Sequence, residues 1–317
     1  MRMNHGDSGG CPQDAARVFE EYRGLLVSVA YRVLGSVTDA EDVVQEAWLR
    51  WSNVNHSEVV DPRAFLVRVS TRLAIDQLRR VKARRESYVG PWLPEPILTG
   101  RDLSEDAAMA DSVSMAMMVV LETLSPLERA AFVLREAFGM PYAEIADVMG
   151  RREEAVRQLA KRARDHVRER RPRFDADSDE QRRVTERFLE ATSNGDLEAL
   201  MGVLSPEVVL VADGGGKALS PRRPVLGAEK VARFLVAIVG EEQIVRFLRS
   251  VGDGSGPSGE VRVHLAPVNG ETGVVVTAGA EPISALVLDV ANDLVRTIRV
   301  VANPEKLAGL RGIETTR

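Results

Sequence analysis

The sequence is poor in the residues that build disulfide and metal sites. Its 317 residues include one cysteine, Cys11, and four histidines. One thiol excludes an internal disulfide framework, and scattered histidines argue against a structural zinc site. No apolar run approaches the roughly 20 residues of a membrane span, and the first ten residues lack the apolar stretch of a signal peptide. We therefore expect a cytoplasmic protein that has no metal, no cofactor and no membrane contact.

The charge is unevenly distributed along the chain. Residues 1–173 carry 26 basic and 26 acidic residues, and residues 174–317 carry 16 and 21, so the net charge of −5 arises in the C-terminal part. Residues 36–49 hold four acids and no Lys or Arg, whereas residues 61–86 hold eight Lys or Arg and three acids. This segregation predicts one surface for a protein partner and another for a polyanion.

Residues 142–164 have the pattern of a helix-turn-helix. In this motif the two helices pack closely at Ala146, the chain turns at Gly150, and the second helix packs on the first at Val156. The second helix projects polar and basic side chains suited to a DNA groove, namely Arg151, Arg152, Glu153, Arg157, Gln158, Lys161 and Arg162. The alternative is an ordinary helical hairpin with a solvated basic face. Ten Lys or Arg against four acids over residues 151–173 favour DNA binding.

The first 85 residues predict three helices. Apolar residues recur at helical spacing up to Gly35, which ends the first helix. Thr38 and Glu41 have the spacing of a capping box for the second helix, and Pro62 opens the third. The second helix carries an exposed stripe of acidic and polar residues, namely Asp39, Glu41, Asp42, Gln45 and Glu46. A solvated helix face is the alternative interpretation of this stripe.

Beyond residue 86 the pattern changes twice. Residues 86–104 are rich in proline and predict an extended linker, in which Trp92 has a functional role or packs on a neighbouring surface. After residue 173 the sequence predicts helices and then strands near 207–212, 244–251, 260–267, 272–278, 283–290 and 294–301, with a helix near 227–239. That order predicts a separate α+β domain.

Three of these segments resemble bacterial sigma factors. Residues 39–51 resemble the helix that binds the core of RNA polymerase. Residues 64–66 and 74–80 resemble the next helix, which in that family opens and reads the −10 promoter element, and residues 142–164 resemble the −35 reader. The order of the motifs over residues 15–170 resembles extracytoplasmic-function sigma factors. One departure is Arg72, where many members have asparagine.

The resemblance implies partners and sites. The partners are promoter DNA and the RNA polymerase core, through its beta-prime and beta subunits, with the acidic stripe as the core-binding surface. The −10 candidates are Asn53, Asn55, Arg68, Arg72, Arg79 and Arg80, with Lys82, Arg84 and Arg85 extending the same basic face. Reading a −10 element requires a base taken out of the stack. The loop at residues 52–60, with His56 as a further candidate, is placed to receive it.

The chain resembles, more narrowly, the sigma subgroup with a fused C-terminal SnoaL-like domain, a cone-shaped α+β fold that is taken to regulate the sigma portion. Three motifs carry this resemblance: residues 92–96, residues 213–217 and residues 303–307. The predicted regulatory contacts are Trp92, Asp213, Gly214, Gly215, Gly216, Lys217, Asn303 and Lys306. Lys217 is expected to pair with an acid of the sigma portion or the linker.

The predicted architecture is therefore multidomain, with two all-α sigma domains and a C-terminal α+β domain. The expected boundaries are a flexible N-terminus at 1–14, sigma domain 2 at 15–86, a linker at 87–104, sigma domain 4 with the helix-turn-helix at 105–173, and the SnoaL-like regulatory domain at 174–317.

Two other functions compete with this interpretation. A one-component helix-turn-helix regulator with a ligand-sensing domain needs neither the acidic helix nor the second basic helix. A catalytic SnoaL-like domain needs a poised acid or base; Asp213, His264 and Asp289 are the candidates, and no paired spacing supports them. The three glycines before Lys217 do not match a phosphate-binding loop. The cone-shaped domain leaves room for a small-molecule ligand, although no residue indicates one.

Overall fold

A computed structural model of the chain describes residues 12–85, 87–99, 114–170, 177–239 and 260–313. The chain forms two compact units. Unit 1 comprises Met1–Ala83, Ser104–Met109 and Leu121–Glu169, and unit 2 comprises Arg84–Leu103, Ala110–Val120 and Arg170–Arg317. Cys11, most of the segment 1–14 and the predicted strand at 244–251 lie outside the described residues.

Unit 1 begins with three helices, α1 (Pro12–Leu34), α2 (Val37–Ser52) and α3 (Pro62–Arg85), the last of which runs on into unit 2. Helix α1 ends at Gly35, whose φ of +73° favours glycine. Trp51 fixes α2 against α1, because its indole nitrogen donates to the Ala15 carbonyl at 2.9 Å. The three predicted helices are confirmed.

The cap of α2 differs from the sequence prediction. Ser36, not Thr38, is the residue before the helix; its backbone is extended and its hydroxyl accepts from the Asp39 amide. The helix therefore begins at Val37, and the predicted box of Thr38 and Glu41 is wrong. Serine and threonine are both good N-cap residues. Ser36 is the cap because it is the residue after Gly35 at which the backbone is extended and the helix begins.

Helix α4 (Met115–Glu122) belongs mostly to unit 2, and its last two residues begin the second half of unit 1. That half continues with α5 (Pro126–Phe132), a π-helical turn (Val133–Ala137), α6 (Tyr142–Met149) and α7 (Glu153–Arg170). Ser125 and Glu128 form a reciprocal capping box at the start of α5. Between α6 and α7, Gly150 adopts φ +62° and the Arg151 amide donates to the Ala146 carbonyl. The predicted helix-turn-helix is confirmed, with the glycine where the turn requires it.

Unit 2 carries helices α8 (Ser178–Ser193), α9 (Leu197–Val203) and α10 (Ala228–Val239). Its strands are β1 (Leu204–Asp213), β2 (Val225–Leu226), β3 (Val261–Val268), β4 (Glu271–Ala278), β5 (Glu281–Ala291) and β6 (Leu294–Val301). The sheet order is β2-β1-β6-β5-β4-β3. Strands β1 and β6 are parallel and the other neighbours are antiparallel. The α+β prediction is confirmed.

Each face of this sheet has its own core. The three helices cover one face, where Phe188 and Leu235 pack on Ile298. The other face is covered by parts of the chain that precede the α+β fold: Leu93 and Met115 join Val275 and Val301 in one buried cluster. The segment predicted as a linker also lies along the edge of the sheet, because Thr99 donates to the Pro267 carbonyl at 2.9 Å. In the described part of the chain, no helix is long and apolar enough to cross a membrane.

Candidate functional sites

The stripe predicted on α2 is only partly exposed to a partner. Glu41 pairs with Arg23 at 2.6 Å and Glu46 pairs with Arg50 at 3.0 Å. Asp39 accepts from the Gln77 amide at 2.8 Å. The stripe's remaining members, Asp42 and Gln45, are exposed.

An apolar residue missed by the sequence analysis lies beside them. Leu49 is 51% exposed and follows Asp42 and Gln45 at spacings of seven and four residues. These three side chains therefore share one helix face. The missed signal was a leucine on the polar side of an amphipathic helix.

The loop after α2 forms a pocket. The pocket is about 400 Å³ in volume. Its lining residues are Val54, Glu58, Val59, Val60, Asp61, Ala64, Phe65 and Arg68. The Arg68 guanidinium lies 5.5 Å from the centre of the Phe65 ring. An aromatic face and three charged groups thus border one cavity.

The two asparagines predicted to read DNA are not among the lining residues. The Asn53 amide donates to the Leu49 carbonyl at 2.6 Å, and Asn55 caps the short turn at residues 56–58. His56 stands edge-on to Trp51, with ring centres 4.4 Å apart. Short polar side chains in a tight loop satisfy the local backbone first, so Phe65 and Arg68 of α3 line the pocket instead.

The basic residues of α3 have different environments. Arg79 is half-exposed beside Asp76 on its own helix, and Arg80 is exposed. Arg72 donates to the carbonyls of Val148 and Asp147 at 2.8 and 3.1 Å. The basic face is therefore smaller than the sequence suggests.

Two further members of the predicted basic face are also engaged. Lys82 donates to the carbonyls of Glu122 and Leu124. Arg85 stacks on Trp92, with its guanidinium carbon 3.3 Å from the ring centre. Their positive charge is thus directed at chain segments rather than at solvent.

The second helix of the helix-turn-helix presents its basic side outward. Val156, Ala160, Ala163 and Val167 of α7 are buried. Arg151, Arg152, Gln158 and Lys161 are exposed. Arg157 pairs with Glu153 and lies over the Tyr142 ring, and Arg162 pairs with Glu128 at 2.9 Å. All seven predicted −35 residues therefore lie on α7 or in the turn before it.

The three motifs of the C-terminal resemblance meet at one buried carboxylate. Asp213, fully buried at the end of β1, accepts from the Tyr88 hydroxyl at 2.6 Å and the Leu93 amide at 2.8 Å. It also accepts from the Lys306 ammonium at 2.6 Å. The Asn303 amide donates to the Tyr88 hydroxyl at 2.9 Å. We call Tyr88, Trp92, Asp213, Asn303 and Lys306 the Asp213 network.

Burial shifts the pKa values of two members of this network. Desolvation lowers the pKa of Lys306 to about 8, and the charge of Asp213 acts in the opposite direction. Desolvation and the hydrogen bond to Asp213 both raise the pKa of the Tyr88 hydroxyl. The Trp92 ring is 4.0 Å from the Lys306 nitrogen, a cation–π contact that helps to hold the ammonium.

The glycine-rich segment allows close approach to this network. Gly215 has φ +59°, and a Cβ there would overlap the Asn303 amide and the Tyr88 hydroxyl. Lys217 pairs with Glu305 of the C-terminal segment. The expected pairing of Lys217 with the sigma portion or linker is therefore wrong: the glycine turn directs this lysine toward the short helical turn at residues 304–306.

The candidates for catalysis have structural partners. Asp213 belongs to the network above, His264 contacts the Thr277 hydroxyl at 3.0 Å, and Asp289 forms a buried ion pair with Arg299. A carboxyl missed by the sequence analysis is Glu271, which accepts from the Met115 amide. Burial and the nearby Asp289 raise its pKa to about 7.

Comparison with known proteins identifies the family. Residues 18–85 match the Sigma-70 region 2 model and residues 114–167 match the Sigma-70, region 4 model. The chain is 40% identical over 302 residues to the ECF RNA polymerase sigma factor SigJ of Mycobacterium tuberculosis, which covers 92% of each protein. It is 36% identical over 213 residues to the probable ECF RNA polymerase sigma factor SigI of the same species, covering 66% of this chain and 72% of that protein.

A solved structure supports the same assignment over nearly the whole chain. The crystal structure of the M. tuberculosis extracytoplasmic function sigma factor SigJ superposes with a TM-score of 0.71 at 37% identity, covering 93% of this chain and 98% of that one. The one-component regulator is not favoured by these relatives. The chain belongs to the extracytoplasmic-function RNA polymerase sigma factors: it binds the polymerase core and directs promoter-specific initiation, and it carries an α+β fold at its C-terminus.

Proposed function

We propose that the C-terminal domain regulates this cytoplasmic sigma factor through the Asp213 network, and that the domain performs no chemistry. The supporting observation is the position of Asp213, which accepts from Tyr88 and Leu93 of the segment predicted as a linker and from Lys306 near the C-terminus. Changing the network changes how the segment at residues 87–99 is held. A small-molecule ligand for this domain stays a prediction.

The polymerase-binding surface is the face of α2 formed by Asp42, Gln45 and Leu49. Two polar groups and one apolar group at helical spacing suit a basic helical partner, because the Asp42 carboxylate attracts its cations and the leucine buries apolar area. The partner is the RNA polymerase core, through its beta-prime and beta subunits. The polymerase-binding surface also includes Asp39, Glu41 and Glu46 once their present hydrogen bonds and ion pairs have opened.

The −10 site is the pocket between the loop after α2 and the start of α3. A base taken out of the duplex needs a stacking surface and polar groups for its edge. Phe65 offers the ring, and Glu58, Asp61 and Arg68 offer the polar groups. Arg79 and Arg80 contact phosphates, whose contribution is independent of sequence and sensitive to salt.

The −35 site is the outward face of α7. Arg and Lys side chains on a helix that enters the major groove bind phosphates and guanine edges, and Gln158 has the donor and acceptor pair that suits adenine. The exposed residues Arg151, Arg152 and Lys161 are the first candidates. Arg157 and Arg162 join them if their ion pairs open.

Run-off transcription with purified bacterial core polymerase on a randomised promoter library tests these assignments. The structure favours point variants over truncation after residue 173, because truncation would expose Leu93 and Met115, which pack on the sheet. We expect Lys306→Met to change transcript yield more than threefold at equal protein level. Lys217→Gln, which removes an exposed pair, is the matched control.

The outcomes separate regulation from promoter recognition. Core-dependent initiation from a defined pair of −10 and −35 sequences reports the sigma function. If that initiation occurs and Lys306→Met gives the same yield as Lys217→Gln, regulation through the Asp213 network is wrong. Duplex binding without initiation would contradict the polymerase-binding face instead.

A further inference from the structure

Tyr142, the first residue of α6, does not belong to the buried face of its helix. The buried residues of α6 are Ile145, Ala146, Val148 and Met149. The Tyr142 side chain is half-buried and lies among arginines of the same compact unit. Core packing therefore does not account for an aromatic residue at this position.

Three arginines contact this tyrosine. The guanidinium carbons of Arg135 and Arg157 each lie 4.8 Å from the centre of the Tyr142 ring. The Arg164 guanidinium donates to the Tyr142 hydroxyl at 3.3 Å. We call these four residues the Tyr142 cluster. The cluster joins the π-helical turn, the start of α6 and the basic helix α7.

Two of the three arginines hold the ring in place. Arg135 also donates to the Met140 carbonyl at 2.9 Å. The Arg164 Nε atom lies 3.7 Å from a Glu136 carboxylate oxygen. Each of these arginines thus has a second partner in the chain segment just before α6. The tyrosine is therefore held both at its ring and at its hydroxyl.

Arg157 differs from the other two arginines because it is one of the predicted −35 residues. Its Nε donates to Glu153, one helical turn earlier, at 3.0 Å. Both side chains of this ion pair are largely exposed, so the pair is weak. The carboxylate binds an N–H edge of the guanidinium, whereas an aromatic ring attracts the cation through the face of the ring. The contact with Tyr142 therefore persists when the ion pair opens toward DNA.

We propose that Tyr142 is a positioning residue of the −35 site, whose ring holds the Arg157 guanidinium in the orientation that reads a base pair. The first turns of a recognition helix contact base edges, and arginine binds guanine through two parallel donors. A long arginine side chain loses rotamer freedom when it binds, and a preformed orientation removes part of that cost. The inference rests on the −35 site proposed above and adds to it a residue that acts through Arg157.

Transcription by core polymerase with the full chain, on promoters that differ at each base pair of the −35 element, tests this role. We expect Arg157→Met to lower discrimination at one base pair about tenfold. Tyr142→Leu should lower discrimination at the same base pair about two- to fivefold. Tyr142→Phe, which keeps the ring, should match the parent. In the Arg157→Met background, Tyr142→Leu should have no further effect.

The outcomes separate positioning from folding and from promoter recognition. Discrimination is a ratio of yields from two promoters, so a smaller amount of folded protein does not change it. The proposal is overturned if Tyr142→Leu keeps the parent ratio, or if Tyr142→Phe loses it to the same extent as Tyr142→Leu. It is also overturned if Tyr142→Leu lowers the ratio equally with and without Arg157.

A failure of the −35 assignment has a different signature. If Arg157→Met leaves every ratio unchanged, Arg157 does not read the −35 element, and the positioning role fails with it. If Arg157→Met lowers one ratio and Tyr142→Leu lowers none, only the positioning role is wrong.

Discussion

Cations hold both compact units together, but their acceptors differ. In unit 1, Arg72 and Lys82 of α3 donate to neutral backbone carbonyls at helix ends, and the buried Arg129 donates to the Arg32 carbonyl while it pairs with Glu122. In unit 2 the corresponding cation, Lys306, donates to a fully buried carboxylate, and Arg299 pairs with the buried Asp289. The contacts of Arg72 and Lys82 are thus charge–dipole contacts, whereas Lys306 and Arg299 form buried ion pairs.

This difference predicts which contacts can open. Separation of a cation from a helix end returns both groups to water, which solvates them at little cost. Removing one partner of a buried pair leaves an uncompensated charge in a poorly solvated site, which costs about 3–5 kcal/mol. The contacts of Arg72 and Lys82 are therefore the ones that can open at little cost, and unit 2 is suited to holding the segment at residues 87–99 in one place.

The largest effect is expected from Asp213→Asn. The substitution preserves the shape of the side chain but leaves the Lys306 ammonium buried without its carboxylate, so the free energy of unfolding of unit 2 should fall by about 3–5 kcal/mol. Hydrogen–deuterium exchange of the β1 and β6 amides measures this locally. Lys217→Gln is the control, because its exposed pair contributes less than about 1 kcal/mol. Equal exchange in the two variants would mean that the Asp213 network does not stabilise the sheet.

Because of Glu271, we expect the free energy of unfolding of unit 2 to fall as the pH rises. Its pKa is about 7 in the folded state, raised by burial and then by Asp289, against 4.5 for the ordinary carboxyl. The folded state therefore binds the proton more tightly, so stability is greatest below pH 4.5 and falls between about pH 4.5 and 7. A pKa shift of this size corresponds to a loss of about 3 kcal/mol over that interval.

Glu271→Gln tests this dependence. The variant should lose this pH dependence in the exchange rates of the β4 and β5 amides and should exceed the parent in stability at pH 8. Glu281→Gln, at an exposed position on β5 paired with Arg311, should keep the parent profile. A parent whose exchange-derived stability does not change over this interval would show that Glu271 is ionised in the folded state.

The sequence analysis succeeded where the signal was local. Helical spacing predicted α1 to α3, and Gly150 predicted the turn of the helix-turn-helix, which the structure contains with this glycine at φ +62°. It failed where the partner lies far along the chain. Nothing near Tyr88 indicates that its hydroxyl meets a carboxylate 125 residues away, and Lys82 has the same local pattern whether it meets DNA or a helix end.

One set of contacts that the sequence analysis missed, those of Asp213, carried a detectable signal. Asp213 is the last residue of β1, and the residues just before it are apolar. A single acid at the end of such a strand needs a hydrogen-bonding or cationic partner if it is buried. The sequence analysis singled it out as a regulatory contact, but it assigned no role to Tyr88 or Leu93. The pocket at the start of α3 shows the same limit, since its aromatic wall, Phe65, looked like an ordinary core residue of an amphipathic helix.

The smallest effect on stability, and the sharpest contrast with the buried pairs, is expected from Arg162→Ala. Its pair with Glu128 is largely exposed on the arginine side, so the loss should be below about 1 kcal/mol. If Arg162 binds a −35 phosphate, the slope of log binding constant against log salt should become shallower by about 1. Arg168→Ala, on the same helix and paired with Asp165, should match it in stability and leave the slope unchanged. Equal slopes for the two variants would show that Arg162 is not part of the DNA-binding face. A shallower slope for Arg162→Ala alone would show that this exposed cation of unit 1 binds DNA and contributes little to the stability of the fold.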